Sequence, residues 1–124
     1  MLDDKEPIAT VAVRDLSVAK KFYRDTLGLK LAHENTEVLT FVAGGFRLFV
    51  YRSTFAGTNQ ATVVTWAVGD GVGSIVAELG KRGVQFEHYE MPGLKIEGDL
   101  HVSEGGKVAW FKDPDGNILS VNGM

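Results

Sequence analysis

An internal repeat is the feature that most constrains the fold of this 124-residue chain. Thr10–Asp15 (TVAVRD) aligns with Thr65–Asp70 (TWAVGD), and the same spacing aligns Gly28 with Gly83. Self-similarity at a fixed spacing indicates a duplicated structural unit. We therefore expect a single domain over residues 1–124 that is made of two similar halves.

The first half, about residues 8–52, has the pattern of a β-α-β-β-β unit. Apolar residues recur at steps of three and four from Val18 to Leu27, which predicts a helix with Asp15 or Ser17 as its cap and Gly28 as its end. Runs of β-branched and apolar residues predict four strands, at Ile8–Val13, Leu29–His33, Val38–Val42 and Phe46–Arg52. Turn-forming residues separate the last three, at Asn35–Thr36 and Gly44–Gly45.

The same order recurs over about residues 61–122, after a polar connector at residues 53–60 that shows no periodicity. Asp70 is the expected cap of a second helix, in which apolar residues have helical spacing from Val72 to Leu79. Strands are expected at Ala61–Val68, Val84–Tyr89, Lys107–Lys112 and Ile118–Val121. The predicted fold class is α+β, with two tandem βαβββ modules that form a concave mixed sheet.

Composition excludes several classes of function. The net charge of −3 argues against a nucleic-acid-binding protein, which normally carries a basic face. The absence of cysteine removes disulfides, thiolate metal sites and a cysteine nucleophile. The sequence shows neither a signal peptide nor an apolar stretch of the roughly 20 residues that span a bilayer. We therefore expect a cytoplasmic protein that binds neither nucleic acid nor membrane.

Motifs at the two ends of the chain carry a family resemblance. Val11–Leu16 (VAVRDL) leads into Phe22–Leu29 (FYRDTLGL), and Trp110–Leu119 (WFKDPDGNIL) lies near the carboxyl end. These segments resemble the opening and closing modules of the vicinal oxygen chelate superfamily, which includes glyoxalases, bleomycin resistance proteins, fosfomycin resistance enzymes and extradiol dioxygenases. The resemblance implies the glyoxalase/bleomycin-resistance/dioxygenase-like fold. Within the closing turn, Asp115 and Asn117 are expected to bond local backbone groups rather than to take part in chemistry.

The resemblance also implies four positions where metal-dependent members of the superfamily place His or Glu ligands. In this sequence those positions hold Ile8, Phe49, Val63 and Ser120. Three hydrocarbon side chains and one hydroxyl group do not hold a divalent cation. The histidines do not match these positions and lack ligand spacing: His33, His88 and His101. We expect neither a metal nor another cofactor.

The sheet surface that faces away from the helices is the expected ligand pocket. Alternation along the strands assigns nine candidate binding residues to it: Ile8, Thr10, Arg47, Phe49, Tyr51, Val63, Thr65, Trp110 and Ser120. The aromatic residues would stack on an apolar or planar ligand, and Arg47 would pair with a carboxylate or phosphate. Alternatively, the aromatic residues fill the groove or a dimer interface. The long connection at residues 90–106 is either a lid over the pocket or a solvent-facing loop.

Three functions remain open from the sequence. The leading one is a metal-independent small-molecule-binding protein that resembles bleomycin resistance proteins and, as the resemblance implies, forms a homodimer around a small apolar or aromatic ligand. The second is a lyase, isomerase or dioxygenase relative with non-standard catalytic residues, for which Tyr51 and His101 are the candidates. The third is a regulatory or assembly protein with a vestigial pocket.

Overall fold

A computed structural model describes all residues, 1–124. The chain forms two compact units, Met1–Ala56 and Gly57–Met124. Each unit is a mixed β-sheet with helical structure packed on one side, so the α+β fold class is confirmed. The boundary between the units lies inside the connector at residues 53–60. Neither helix has the length and apolar character that crossing a membrane requires.

The first unit follows the predicted order of elements. Its sheet has the order β1-β4-β3-β2, in which β1 and β4 are parallel and the other pairs are antiparallel. Its elements are β1 (Ala9–Val13), α1 (Leu16–Lys20), a π-helical segment (Lys21–Thr26), β2 (Lys30–Glu34), β3 (Val38–Ala43) and β4 (Phe46–Arg52). The Gly44–Gly45 turn is confirmed, since both glycines have positive φ (58° and 81°) as a two-residue hairpin turn requires.

The first helix changes from α-helical to π-helical in its second half. Asp15 caps it, because one carboxylate oxygen accepts the backbone N–H groups of Ser17 (2.8 Å) and Val18 (3.3 Å). From Lys21 to Thr26 the backbone is π-helical, and the Leu27 N–H donates to the carbonyl five residues earlier (2.9 Å). The predicted helix is therefore present, but the sequence pattern did not distinguish its π-helical part, because apolar steps of three and four residues suit both kinds of helix.

The core of the first unit lies between this helix and the sheet. Tyr23 is fully buried from the helical side and packs on Phe41 of β3, with ring centroids 5.9 Å apart. Strands β1, β3 and β4 alternate between a buried residue on this side and a more exposed one on the other, as with Val50 next to Tyr51. The alternation therefore sends the predicted binding residues of β1 and β4 to the face opposite α1.

The second unit repeats the plan with extra strands. Its sheet has the order β5-β10-β9-β8-β7, β5 and β10 are parallel, and β6 also pairs with β9. Its elements are β5 (Thr62–Gly69), α2 (Val72–Lys81), β6 (Phe86–Glu87), β7 (Lys95–Glu97), β8 (Leu100–Ser103), β9 (Gly106–Lys112) and β10 (Ile118–Gly123). Helix α2 packs against β5, β9 and β10 and buries Val72, Val76 and Leu79.

Two expectations for the second unit were wrong, and a third segment has more secondary structure than was expected. Asp70 does not cap α2; the capping position is Gly71, with no side-chain hydrogen bond. The strand expected at Val84–Tyr89 is limited to Phe86–Glu87. The 90–106 connection is not an irregular loop, because it contains the β7–β8 hairpin.

The carboxylate of Asp113 holds the closing turn together. The Asp113 carboxylate, 5% exposed, accepts the backbone N–H groups of Asp115 and Asn117, both at 2.9 Å. It also accepts a hydrogen bond from the side-chain NH2 group of Asn117 at 2.7 Å, while the side-chain oxygen (Oδ1) of Asn117 accepts the backbone N–H of Gly57 at 3.3 Å. The Asp113 side chain thus bonds local backbone groups, while the Asn117 side chain bonds the Asp113 carboxylate and the distant backbone of Gly57. Gly116 supplies the positive φ of 89° that this turn needs.

Candidate functional site

The face of the first sheet opposite α1 carries three of the predicted binding residues side by side. Thr10 and Phe49 are register partners on β1 and β4, and Tyr51 follows two residues further along β4. Phe49 is half-buried and Tyr51 is 37% exposed, so both rings present part of their surface to solvent. Ile8 lies just before β1 and is half-buried; its carbonyl accepts a hydrogen bond from the Thr10 hydroxyl (3.1 Å).

Arg47 already has a carboxylate partner. Its guanidinium lies 3.5 Å from the carboxylate of Glu6, and both side chains are about half exposed. An exposed pair of this kind contributes about 1 kcal/mol or less, so a ligand anion can replace Glu6 at little cost. Arg47 therefore remains compatible with the predicted pairing to an anionic ligand.

On the second sheet, one row of side chains crosses four strands on the face opposite α2. Thr65, Ser120, Trp110 and Glu87 are register partners on β5, β10, β9 and β6. We call these four residues the helix-free row. The hydroxyl oxygens of Thr65 and Ser120 lie 2.7 Å apart, and Ser120 is 2% exposed. The structure thus brings together three predicted binding residues: Thr65, Trp110 and Ser120.

Val63 is not part of this row. The pairing of β5 with β10 shifts there, since Ile118 pairs with Thr62 and Leu119 with Val64. Val63 is therefore a bulge residue, and Thr62 takes its place beside the row by accepting a hydrogen bond from the Trp110 indole N–H (3.1 Å). Strict alternation along the sequence cannot locate such a bulge, so the place of Val63 in the ligand site stays a prediction.

An aromatic cluster that the sequence did not predict holds Trp110 in place. His101 packs edge-on against the indole, with centroids 4.7 Å apart, and Tyr89 does so at 5.4 Å. The only sequence signal for this cluster is the alternation of Leu100 and Val102 in β8, which sends His101 to the opposite face. With two aromatic neighbours and one hydrogen bond, the indole of Trp110 is fixed in orientation.

His101 is a structural residue and not a free acid or base. It is fully buried, and its Nε2 atom accepts the backbone N–H of Tyr89 at 2.8 Å. The proton of the neutral imidazole is then on Nδ1, which donates to the carbonyl oxygen of Val108 at 3.3 Å. Because both ring nitrogens bond to backbone, His101 lacks a nitrogen for proton transfer to a ligand.

The residues at the implied metal positions do not fit a divalent cation. Ile8, Phe49 and Val63 lack donor atoms, and the hydroxyl of Ser120 is hydrogen-bonded to Thr65. Nowhere in the chain do three His, Asp or Glu side chains converge as a cation site would require. Asp99 pairs only with His88, at 2.9 Å on the surface.

Comparison with known families matches residues 7–121 to the Glyoxalase/Bleomycin resistance protein/Dioxygenase superfamily. No match was found among curated protein sequences.

Solved structures show the same fold over nearly the whole chain. A glyoxalase/bleomycin resistance protein/dioxygenase from Alicyclobacillus acidocaldarius is 20% identical with a TM-score of 0.74, over 98% of this chain and 92% of the other. A lactoylglutathione lyase from Agrobacterium tumefaciens is 18% identical with a TM-score of 0.73, over 99% and 96%. A fosfomycin resistance protein from Mesorhizobium loti is 14% identical with a TM-score of 0.69, over 100% and 94%. At these identities the similarity establishes the fold and leaves the ligand open.

Proposed function

Because the chain belongs to the glyoxalase/bleomycin resistance protein/dioxygenase superfamily, we propose that it is a small-molecule-binding protein that works without a metal ion, in the manner of bleomycin resistance proteins. The observation that carries the proposal is the helix-free row, where the fixed indole of Trp110 lies next to the hydroxyl pair of Thr65 and Ser120. The row combines an aromatic surface with a few directed polar groups, which is the composition of ligand-binding sites.

The geometry of Trp110 favours stacking on a planar ligand. A ring already held by His101 and Tyr89 loses little conformational freedom when a ligand binds. Aromatic pairs add about 0.5–1.5 kcal/mol beyond the burial of apolar area. Its indole N–H is already bonded to Thr62, so the ring offers its π-surface rather than a donor.

The hydroxyl groups of Thr65 and Ser120 orient the ligand through a hydrogen bond. Thr65 and Ser120 share one hydrogen bond, so one of their two protons remains to be donated to a ligand oxygen or nitrogen. Thr65 is exposed and Ser120 is buried, which places the accessible end of the pair at Thr65. The preferred ligand is therefore planar and apolar with at least one acceptor atom.

The first sheet presents a second apolar surface through Phe49 and Tyr51, with Thr10 next to Phe49. Arg47 and its displaceable partner Glu6 add a place for an anionic group. The enzymatic alternative receives less support, because His101 is bonded to backbone on both nitrogens and no histidine or carboxylate is hydrogen-bonded to the Tyr51 hydroxyl.

A thermal-shift screen with planar aromatic and antibiotic-like compounds tests the proposal, because a ligand that binds the native state raises the melting temperature. For a compound that stabilises the protein, Trp110→Ala should weaken binding by about tenfold or more, the loss expected when a central aromatic contact is removed. Trp66→Phe is the matched control, because Trp66 pairs with the buried Val121 on the helix side of the sheet. Stabilisation by none of the compounds, or equal binding by Trp110→Ala and the wild type, would refute the proposal.

We also propose a cytoplasmic homodimer, as in related proteins of this size. Two phenylalanines support an association surface, since Phe46 is 67% exposed and Phe55 is 76% exposed. Light scattering coupled to size-exclusion chromatography should give twice the chain mass of 13.5 kDa. A mass of one chain across the concentration range would contradict the homodimer.

A further inference from the structure

A cleft of about 320 Å3 opens at the carboxyl end of the parallel strands β1 and β4. Its lining residues are polar or charged: Arg14, Glu37, Arg52, Ser53 and Thr54. Arg52 is the register partner of Val13, which is fully buried on the helix side of the first sheet. The cleft is therefore separate from the face that carries Phe49 and Tyr51.

Backbone hydrogen bonds hold the wall of this cleft in place. The N–H of Ser53 donates to the carbonyl of Val13 (2.9 Å), and the N–H of Arg52 donates to the carbonyl of Glu37 (3.0 Å). The Ser53 hydroxyl oxygen accepts the N–H of Phe55 at 3.1 Å. This contact fixes the oxygen and leaves the hydroxyl proton to be donated to a ligand.

The charges of the lining favour an anion, although the chain as a whole has a net charge of −3. Arg24, Arg47 and Arg82 form ion pairs with Asp25, Glu6 and Glu78. The guanidinium of Arg52, in contrast, has neither a hydrogen bond nor an ion pair. Arg14 adds a second positive charge to the lining, and Glu37 adds one negative charge.

We propose that this cleft binds a small oxyanion, a carboxylate or phosphate group, through the guanidinium of Arg52 and the hydroxyl of Ser53. A planar guanidinium matches two oxygens of such a group, and the charged hydrogen bonds are stronger than neutral ones. The volume is at the lower end of the range for ligand pockets, which suits a ligand little larger than its anionic group. The Glu37 carboxylate provides an acceptor for a hydroxyl group on the same ligand. This site is independent of the aromatic ligand proposed above.

Amide NMR titrations of the full chain with sodium phosphate, and separately with sodium malonate, at constant ionic strength test this site. Saturable shifts are expected at the amides of residues 14, 37 and 52–54, and the tighter of the two anions identifies the preferred group. Arg52→Gln should weaken that anion's binding by about tenfold or more, because a charge-assisted bond is lost. Arg52→Lys should have an intermediate effect, since it keeps the charge and loses the planar fork.

Arg82→Gln is the matched control, because Arg82 is an exposed arginine of the second unit that pairs with Glu78, and it should bind the anion as the wild type does. If Arg52→Gln does not fold, the comparison of Arg52→Lys with the wild type decides the question. Shifts that do not saturate with either anion, or Arg52 variants that bind as well as the wild type, would overturn the proposal.

Discussion

Replacing Asp113 by alanine should lower the free energy of unfolding of the second unit by about 3 kcal/mol. The carboxylate is 5% exposed and accepts hydrogen bonds from the Asp115 N–H, the Asn117 N–H and the Asn117 side-chain amide. Each bond to a charged group contributes about 1.5–3 kcal/mol, and a buried donor that loses its acceptor carries the full cost. Water can hydrogen-bond to the N–H of the half-exposed Asp115 in the variant, so that bond adds little to the loss. The estimate of about 3 kcal/mol therefore comes from the two bonds to the buried Asn117.

Denaturant unfolding followed by tryptophan fluorescence measures this loss. Trp66 and Trp110 both lie in the second unit, so the signal reports on the unit that contains Asp113. The same loss corresponds to a decrease of roughly 10 °C in melting temperature for a domain of this size. Asp70→Ala is the matched control, because Asp70 is an exposed aspartate of the same unit that does not cap α2. If Asp113→Ala and Asp70→Ala cost the same, the turn is not held together by the Asp113 carboxylate.

Three further perturbations have defined outcomes. Asp15→Ala should lower the free energy of unfolding, measured in urea, by about 1 kcal/mol because it removes a helix cap. Asp70→Ala, at the equivalent position of the repeat, should leave it almost unchanged. Equal losses in the two variants would contradict the capping geometry. His101→Ala should lower the free energy of unfolding by about 3 kcal/mol, because the residue is fully buried and bonds to backbone at both nitrogens. A variant that is as stable as the wild type but binds the ligand differently would indicate a functional histidine instead. The hydrogen bond from Arg24 lowers the pKa of the Asp25 carboxyl, so Arg24→Gln should raise that pKa toward its ordinary value; an NMR titration in which the Asp25 pKa stays the same would show that the pair does not form in solution.

The sequence predicted those features of the fold that follow from local patterns and from the repeat. The first strand of each half, the glycine-glycine hairpin and the amphipathic α2 depend on short-range periodicity, and all are present. The internal repeat did not predict the cap of the second helix correctly. Asp15 and Asp70 are equivalent in the alignment, yet the capping position of α2 lies one residue later, at Gly71, which has no side chain to cap the helix.

The candidate site was predictable only where strands are regular. Thr65, Trp110 and Ser120 lie in one row because alternation continues without interruption through β9 and the middle of β10. The bulge at Val63 was not predicted, because a bulge depends on how two strands pair, which local sequence does not encode.

His101 was placed in a loop for a related reason. The β7–β8 hairpin is formed from strands of three and four residues, which are too short to give a clear alternation pattern. The burial of its imidazole depends on contacts with Tyr89 and Trp110, which become neighbours only when β8 pairs with β9.

The most direct test of metal-free binding is the dissociation constant of an aromatic compound that stabilises the protein. It is measured from the fluorescence of Trp110, first in buffer that contains a chelator and then in buffer with excess zinc or manganese. The residues at Ile8, Phe49, Val63 and Ser120 offer no cation site, so we predict the same constant under both conditions. Binding that is lost in the chelator and restored by the added metal ion would contradict the account.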